Sequence, residues 1–194
     1  MTTLPPPPAP GLTVLELTPA HEALLQRFLS ANPRYYHDYY GEPPRPDEAH
    51  HELHEPLPDG WAFTKRWFLG YADASGELAA FANLVSDLIA PRVWHIGFLV
   101  LAAEREGTGL GRALYTGLER WMSEQGAEWL RLGVVAGNTR AERFWAANGY
   151  LETRIRENTP YRSRTQTMRV LYKPLVGGTL EQYRVLIARD RPGA

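Results

Sequence analysis

Residues 104–117 read EREGTGLGRALYTG, with glycine at the alternate positions Gly107, Gly109 and Gly111 and good helix formers directly after them. A helix start leaves about four backbone N–H groups without partners, and the helix dipole adds roughly half a positive charge there. Glycine lets the preceding loop adopt positive φ and lets a ligand touch the main chain. The stretch therefore predicts an anion site suited to phosphate. A P-loop is excluded because no Lys follows Gly111. A dinucleotide fingerprint is excluded because the spacing is G-x-G-x-G and not G-x-G-x-x-G. Taken alone, the glycines also fit a helix entrance that merely packs tightly.

Outward from the loop, Val93–Leu101 is a nearly all-apolar run that predicts a central strand buried on both faces. Leu110, Ala113, Leu114, Leu118, Trp121 and Met122 form the apolar stripe of a helix ending near Gln125. A strand over EWLRLGVVAG follows, then a helix capped by Asn138 and closed by Gly149. Upstream, Thr18-Pro19 opens a helix that stops by Pro33, and a short helix is expected at 46–55. Residues 67–73 and 77–86 read as a hairpin, and 151–157 and 167–173 as final strands. The predicted fold is α/β (α+β): one domain with a mixed, mostly antiparallel sheet of six to seven strands and about four helices. Residues 1–12 read as a proline-rich flexible tail, 13–174 as the domain, and 175–194 as an extension of undetermined structure.

The bulk properties narrow the function. The 194 residues carry a formal charge of -1, so no global field favours nucleic acid or an anionic membrane. Hydrophobic residues make up 44%, yet no apolar run is long enough to span a bilayer. Cysteine is absent, which excludes a thiolate nucleophile and suits the cytoplasm. The first residues, MTTLPPPPAPG, lack the basic and apolar regions of a signal peptide.

Two segments together resemble the GNAT superfamily of acetyl-CoA-dependent N-acetyltransferases. HIGFLVLAAEREGTGLGRAL resembles its fourth strand, pyrophosphate loop and third helix. NTRAERFWAANGY resembles its N-x-x-A-x-x-F-Y-x-x-x-G-[FY] signature, matching at Asn138, Ala141, Phe144, Gly149 and Tyr150. The resemblance covers about residues 14–173, with 29 positions between Gly109 and Asn138. It implies an acetyl-CoA site at Arg105, Glu106, Gly107, Thr108, Gly109, Leu110, Gly111 and Arg112, with Asn138, Phe144 and Trp145 nearby. It also implies that Leu99, Val100 and Leu101 carry the pantetheine and the oxyanion donor by main chain, and that the strand splays from LRLGVVAG to make the acetyl slot. Two departures stand out. Glu106 occupies a place usually held by Arg or Gln, and Trp145 replaces the usual Tyr.

The implied reaction moves acetyl from acetyl-CoA to a primary amine of a small molecule, by direct attack in a ternary complex. An ammonium with a pKa of about 10 must lose its proton first. An ungapped count places His95 at the position where relatives carry a base, and strict alternation puts it on one face with Gly97 and Leu99. His95 is thus either the base or a histidine bonded to a neighbour; Glu77, Asn83 and Asp87 are weaker candidates. Trp145 cannot act as an acid, so it is expected to shape the thioester slot without transferring a proton. Tyr35, Tyr36 and Tyr39 either line the acceptor pocket or belong to the core. HHELHE at 50–55 is not H-E-x-x-H and reads as a solvated or substrate-facing helix, so no metal is expected. A non-catalytic acyl-CoA-binding or regulatory domain is the competing class. A homodimer is compatible with either.

Overall fold

The structure, a computed structural model, describes residues 4–193. Seven strands form one mixed sheet: β1 (Thr13–Glu16), β2 (Lys65–Ala72), β3 (Leu78–Ser86), β4 (Val93–Leu101), β5 (Trp129–Val135), β6 (Leu151–Tyr161) and β7 (Arg164–Pro174). Their order is β1-β2-β3-β4-β5-β7-β6. Every neighbouring pair is antiparallel except β4–β5, which is parallel. A parallel pair requires a crossover, and it is supplied by α4 (Leu110–Glu124).

α4 and α5 (Thr139–Ala147) cover one face of the sheet. Leu114, Leu118, Trp121 and Trp145 pack there on Leu69, Ala82, Trp94, Ile96, Leu130 and Leu132. The other face is covered by α1 (Glu22–Ala31), α2 (Pro33–Tyr40) and α3 (Glu48–His54). There Leu25, Phe28, Leu29 and Tyr36 meet Phe81, Phe98 and Val100. α6 (Leu180–Leu186) covers the remainder of that face, where Tyr183 and Ile187 pack on Val93, Trp129 and Tyr172.

Several features go beyond the sequence reading or depart from it. Pro33 ends α1 but also opens α2, occupying the first turn, where a missing N–H costs nothing. Gly41 closes α2 in the left-handed conformation at φ 80°. β6 and β7 form a longer hairpin than expected, and residues 175–193 build α6 and a 3-10 turn at Ala188–Asp190. The proline-rich start is also engaged: within 4–12, Leu4 packs against the first core and Pro5 is buried. Residues 1–3 of the expected tail lie outside the described residues.

Candidate active site

β4 pairs with β5 only over Val93–Ile96 against Trp129–Leu132. Beyond Ile96 the strands part, as the splay expectation required. On its other edge β4 stays paired with β3, with Leu99, Val100 and Leu101 opposite Ala82, Phe81 and Ala80. Along Gly97–Leu101 the main-chain groups on the β5 side therefore face the gap.

The register slips where the gap begins. Asn83 pairs with Phe98 but Leu84 pairs with Ile96, so Gly97 is an extra residue in β4. An inserted residue breaks the two-residue alternation. Before it, Trp94 and Ile96 face α4; after it, Leu99 and Leu101 do. His95 and Leu99 therefore lie on opposite faces, correcting the shared face predicted by strict alternation. His95 lies toward the C-terminal segment, where its Nδ1 is 3.3 Å from Arg131 Nη1. Burial and the Arg131 charge push its pKa down to about 3. A nitrogen that weakly basic is poorly matched to an ammonium.

Arg131 is itself buried and donates to Asp190 at 2.7 and 2.9 Å, while the Tyr183 hydroxyl donates to Asp190 at 2.7 Å. Burial pushes the Asp190 carboxyl up, but the Arg131 bonds and charge outweigh it and hold the group below the usual range.

The loop lies at the far end of β4. Gly107 and Gly109 have φ of 74° and 87°, and a Cβ at either would meet nothing within 4 Å. Gly109 is the N-cap of α4. Thr108 Oγ1 donates to Arg105 O at 2.7 Å and braces the turn. Leu110 and Gly111 form the helix entrance, with Arg112 exposed beside them. A cleft of about 690 Å³ opens there, lined by residues including Asp73, Arg105, Thr108 and Gly109. Glu106 is paired: Arg140 from the first turn of α5 bonds its carboxylate, and Arg34 Nη1 lies 3.8 Å away. Arg105 instead approaches Asp73 at 3.6 Å.

Asn138 caps α5, its side chain accepting from Ala141 N at 3.1 Å. Phe144 is partly exposed and faces Gly111, 3.8 Å from a Cβ built there. Trp145 is buried in edge-to-face contact with Tyr115, Phe144 and Tyr150.

Across the sheet, Tyr35 lies with its ring 4.3 Å from Phe98 and stacks on Tyr39 at 5.6 Å. Both are partly exposed, whereas Tyr36 is 1% exposed and belongs to the core. The tip of the β6–β7 hairpin holds α2 in place. Gln166 donates to Tyr39 O at 3.0 Å, and Arg162 stacks over Tyr40 at 4.0 Å.

HHELHE lies on α3. His50 and His54 stack at 4.3 Å, and with Glu22 their ligating atoms lie within 4.8 Å of one another. This exposed group is on the outer side of the helix. Two residues along, Glu52 projects the other way, and its Oε1 accepts from Asn83 Nδ2 at 2.5 Å. Sequence reasoning missed Glu52, Arg131, Asp190 and Arg140. Their roles depend on partners between 31 and 59 positions away.

The parted strand pair and the glycine-lined helix entrance both lie within one matched stretch of the chain. A model of the acetyltransferase (GNAT) family matches residues 26–150, and the chain belongs to that family. Among solved structures it is similar to spermidine N-acetyltransferase from Vibrio cholerae in complex with CoA and spermine. That match has 18% identity and a TM-score of 0.64, and covers 86% of this chain and 96% of that one. An acetyltransferase from Thermus thermophilus matches at 21% identity and TM-score 0.64, covering 84% and 97%. The ribosomal-protein-S18-alanine N-acetyltransferase from Escherichia coli matches at 17% and 0.61, covering 87% and 96%. No sequence among the curated proteins matches this chain.

Proposed function

We propose that the protein is an N-acetyltransferase that moves the acetyl group of acetyl-CoA to a primary amine of a small molecule by direct attack in a ternary complex. The observation that carries the reading is the parting of β4 from β5 after Ile96, on the strand that leads into the Gly107–Gly111 loop. The loop and the first turn of α4 hold the pyrophosphate through N–H groups and the helix dipole. The free edge of Gly97–Leu101 holds the pantetheine and offers an N–H to the oxyanion as the amine attacks. Tyr35 and Tyr39 form an aromatic wall for the acceptor, with Tyr36 behind them. The spermine-bound relative supports a small cationic acceptor.

Trp145 stands among rings at the edge of the slot and supplies no acid, so the thiolate leaves without a tyrosine's help. That feature also favours a second reading, a domain that binds acyl-CoA without turnover. Thiol release from acetyl-CoA, measured across polyamines, aminoglycosides, amino acids and peptides, separates the two. Binding of acetyl-CoA without thiol release for any acceptor would favour the second.

A further inference from the structure

Glu52 reaches from α3 to the bulge in β4. Its Oε1 is bonded to Asn83 Nδ2, and the Asn83 carboxamide lies 3.7 Å from where a Gly97 side chain would begin. Asn83 pairs with Phe98, two residues past Ile96, the last residue of β4 paired with β5. Glu52 and Asn83 thus stand at the mouth of the gap, on the face opposite α4, beside the Tyr35–Phe98 contact.

Two acceptor atoms there are unspent. Asn83 Oδ1 is buried and has no hydrogen-bond partner. Glu52 Oε2 takes no bond from any described residue. The neighbouring Glu48 differs, because Arg45 N and Arg162 Nη2 occupy both its oxygens. A carboxylate oxygen and an amide oxygen left open on two hydrogen-bonded side chains suit an ammonium, which brings three donors and a positive charge.

We propose that Glu52 and Asn83 seat the acceptor's ammonium group and that Glu52 takes its proton. This rests on the acetyltransferase reading above. The acceptor enters as R–NH3+. Glu52 takes one proton and leaves R–NH2, whose nitrogen attacks the thioester carbon. The C–N bond forms and the C–S bond breaks. The second nitrogen proton goes to the departing thiolate, giving CoA-SH, and Glu52 returns its proton to water.

The surroundings suit the task. Burial raises the Glu52 pKa, Glu48 and Glu55 raise it further, and the Asn83 bond and Arg66 charge oppose them without cancelling the rise. Arg66 is fixed by donating to Glu52 O at 3.1 Å. Burial, with the Glu52 charge as a lesser cause, holds the Tyr35 and Tyr36 phenols well above their usual range, so they stay neutral.

The test is Glu52→Gln, which keeps size and shape. Expected are a fall in kcat of about 10²-fold or more, loss of the acid limb of kcat, and unchanged acetyl-CoA affinity. Asn83→Ala should raise the amine KM about tenfold with a smaller change in kcat. If Glu52→Gln does not fold, Glu52→Asp reads the same role, with a lower rate and a retained acid limb. Wild-type turnover with an undiminished Glu52→Gln rate would overturn the proposal. A folded wild type that acetylates no amine would instead overturn the underlying reading.

Discussion

His95 Nδ1 faces Arg131 Nη1 at 3.3 Å, and a guanidinium can only donate. Nδ1 must therefore accept, which places the ring proton on Nε2 and makes the imidazole neutral. A proton on Nδ1 would set cation against cation in a buried site. The folded pKa of about 3 lies below the ordinary 6.5. Between these values the unfolded chain binds a proton that the folded one refuses. Stability is then complete above about pH 6.5 and falls as the pH drops toward 3, by about 1.4 kcal/mol per unit at most. NMR titration should find His95 unprotonated throughout the neutral range. His95→Gln, which keeps an acceptor for Arg131, should flatten the acid dependence of the melting temperature. A His95 that titrates near 6.5 would contradict this.

The pair Arg131–Asp190 ties the end of the chain to the middle of the sheet. Both side chains are nearly inaccessible, at 5% and 1%. Removing one partner from a buried pair strands the other, at about 3–5 kcal/mol. Asp190→Ala should cost that much in chemical denaturation. A chain ending at Pro174 should suffer more, because it also uncovers Val93, Trp129 and Tyr172. A truncated chain as stable as the whole would show that the C-terminal segment is dispensable.

Neither of these two pairings is written in the sequence around its residues, whereas local chemistry is. The Gly107–Gly111 loop was legible because its chemistry is local: positive φ and a helix entrance are written in adjacent residues. So was the Asn138 cap. The bulge at Gly97 was not, because a register slip is a property of two strands, and one extra residue moves His95 to the other face. Pro33 reads as a stop, although the same ring that ends one helix can open the next. Arg131 and Asp190 stand 59 positions apart, and nothing in either neighbourhood announces the other.

Gly111 offers a test of the loop that leaves the fold alone. Its Cβ position is 3.5 Å from Leu101 Cδ1 and 3.8 Å from Phe144 Cε2, which is ordinary contact. Gly111→Ala should fold normally and gain up to about 1 kcal/mol from helix propensity. If the helix entrance holds the pyrophosphate as proposed, acetyl-CoA affinity should nevertheless drop about tenfold or more, about 1.4 kcal/mol, because a methyl group is added between the entrance and Phe144. Gly109→Ala is less clean, since φ of 87° costs a side chain about 1–2 kcal/mol. Calorimetry on Gly111→Ala decides, and undiminished affinity would move the phosphate site elsewhere.

Trp145 is a packing residue in the structure, held by three aromatic rings. Trp145→Phe should keep most activity, while Trp145→Ala should cost about 3–5 kcal/mol of stability through the cavity it opens. If Trp145→Tyr raised turnover steeply and introduced an alkaline limb, proton delivery to the thiolate would be limiting in the wild type.

Glu106 puts a carboxylate at the head of the loop proposed to hold the pyrophosphate, where Arg140 pairs with it. The Arg140 guanidinium bonds that carboxylate and Arg34 lies 3.8 Å from it, so the local charge is not negative. Arg140→Ala leaves the carboxylate less screened and should weaken acetyl-CoA binding. Glu106→Gln frees Arg140, while Arg34 keeps Asp38 at 3.8 Å, and should tighten it. Arg140 is 60% exposed, so each change is worth only about 0.5–1 kcal/mol, roughly two- to fivefold. The double variant restores the wild-type charge sum and should return close to the wild-type affinity. Added salt should shrink all three differences together, because exposed charges are screened within about 10 Å at 0.1 M. If neither single change altered affinity at low salt, the phosphates would lie beyond the reach of residue 106, and the loop would begin its grip at Gly107.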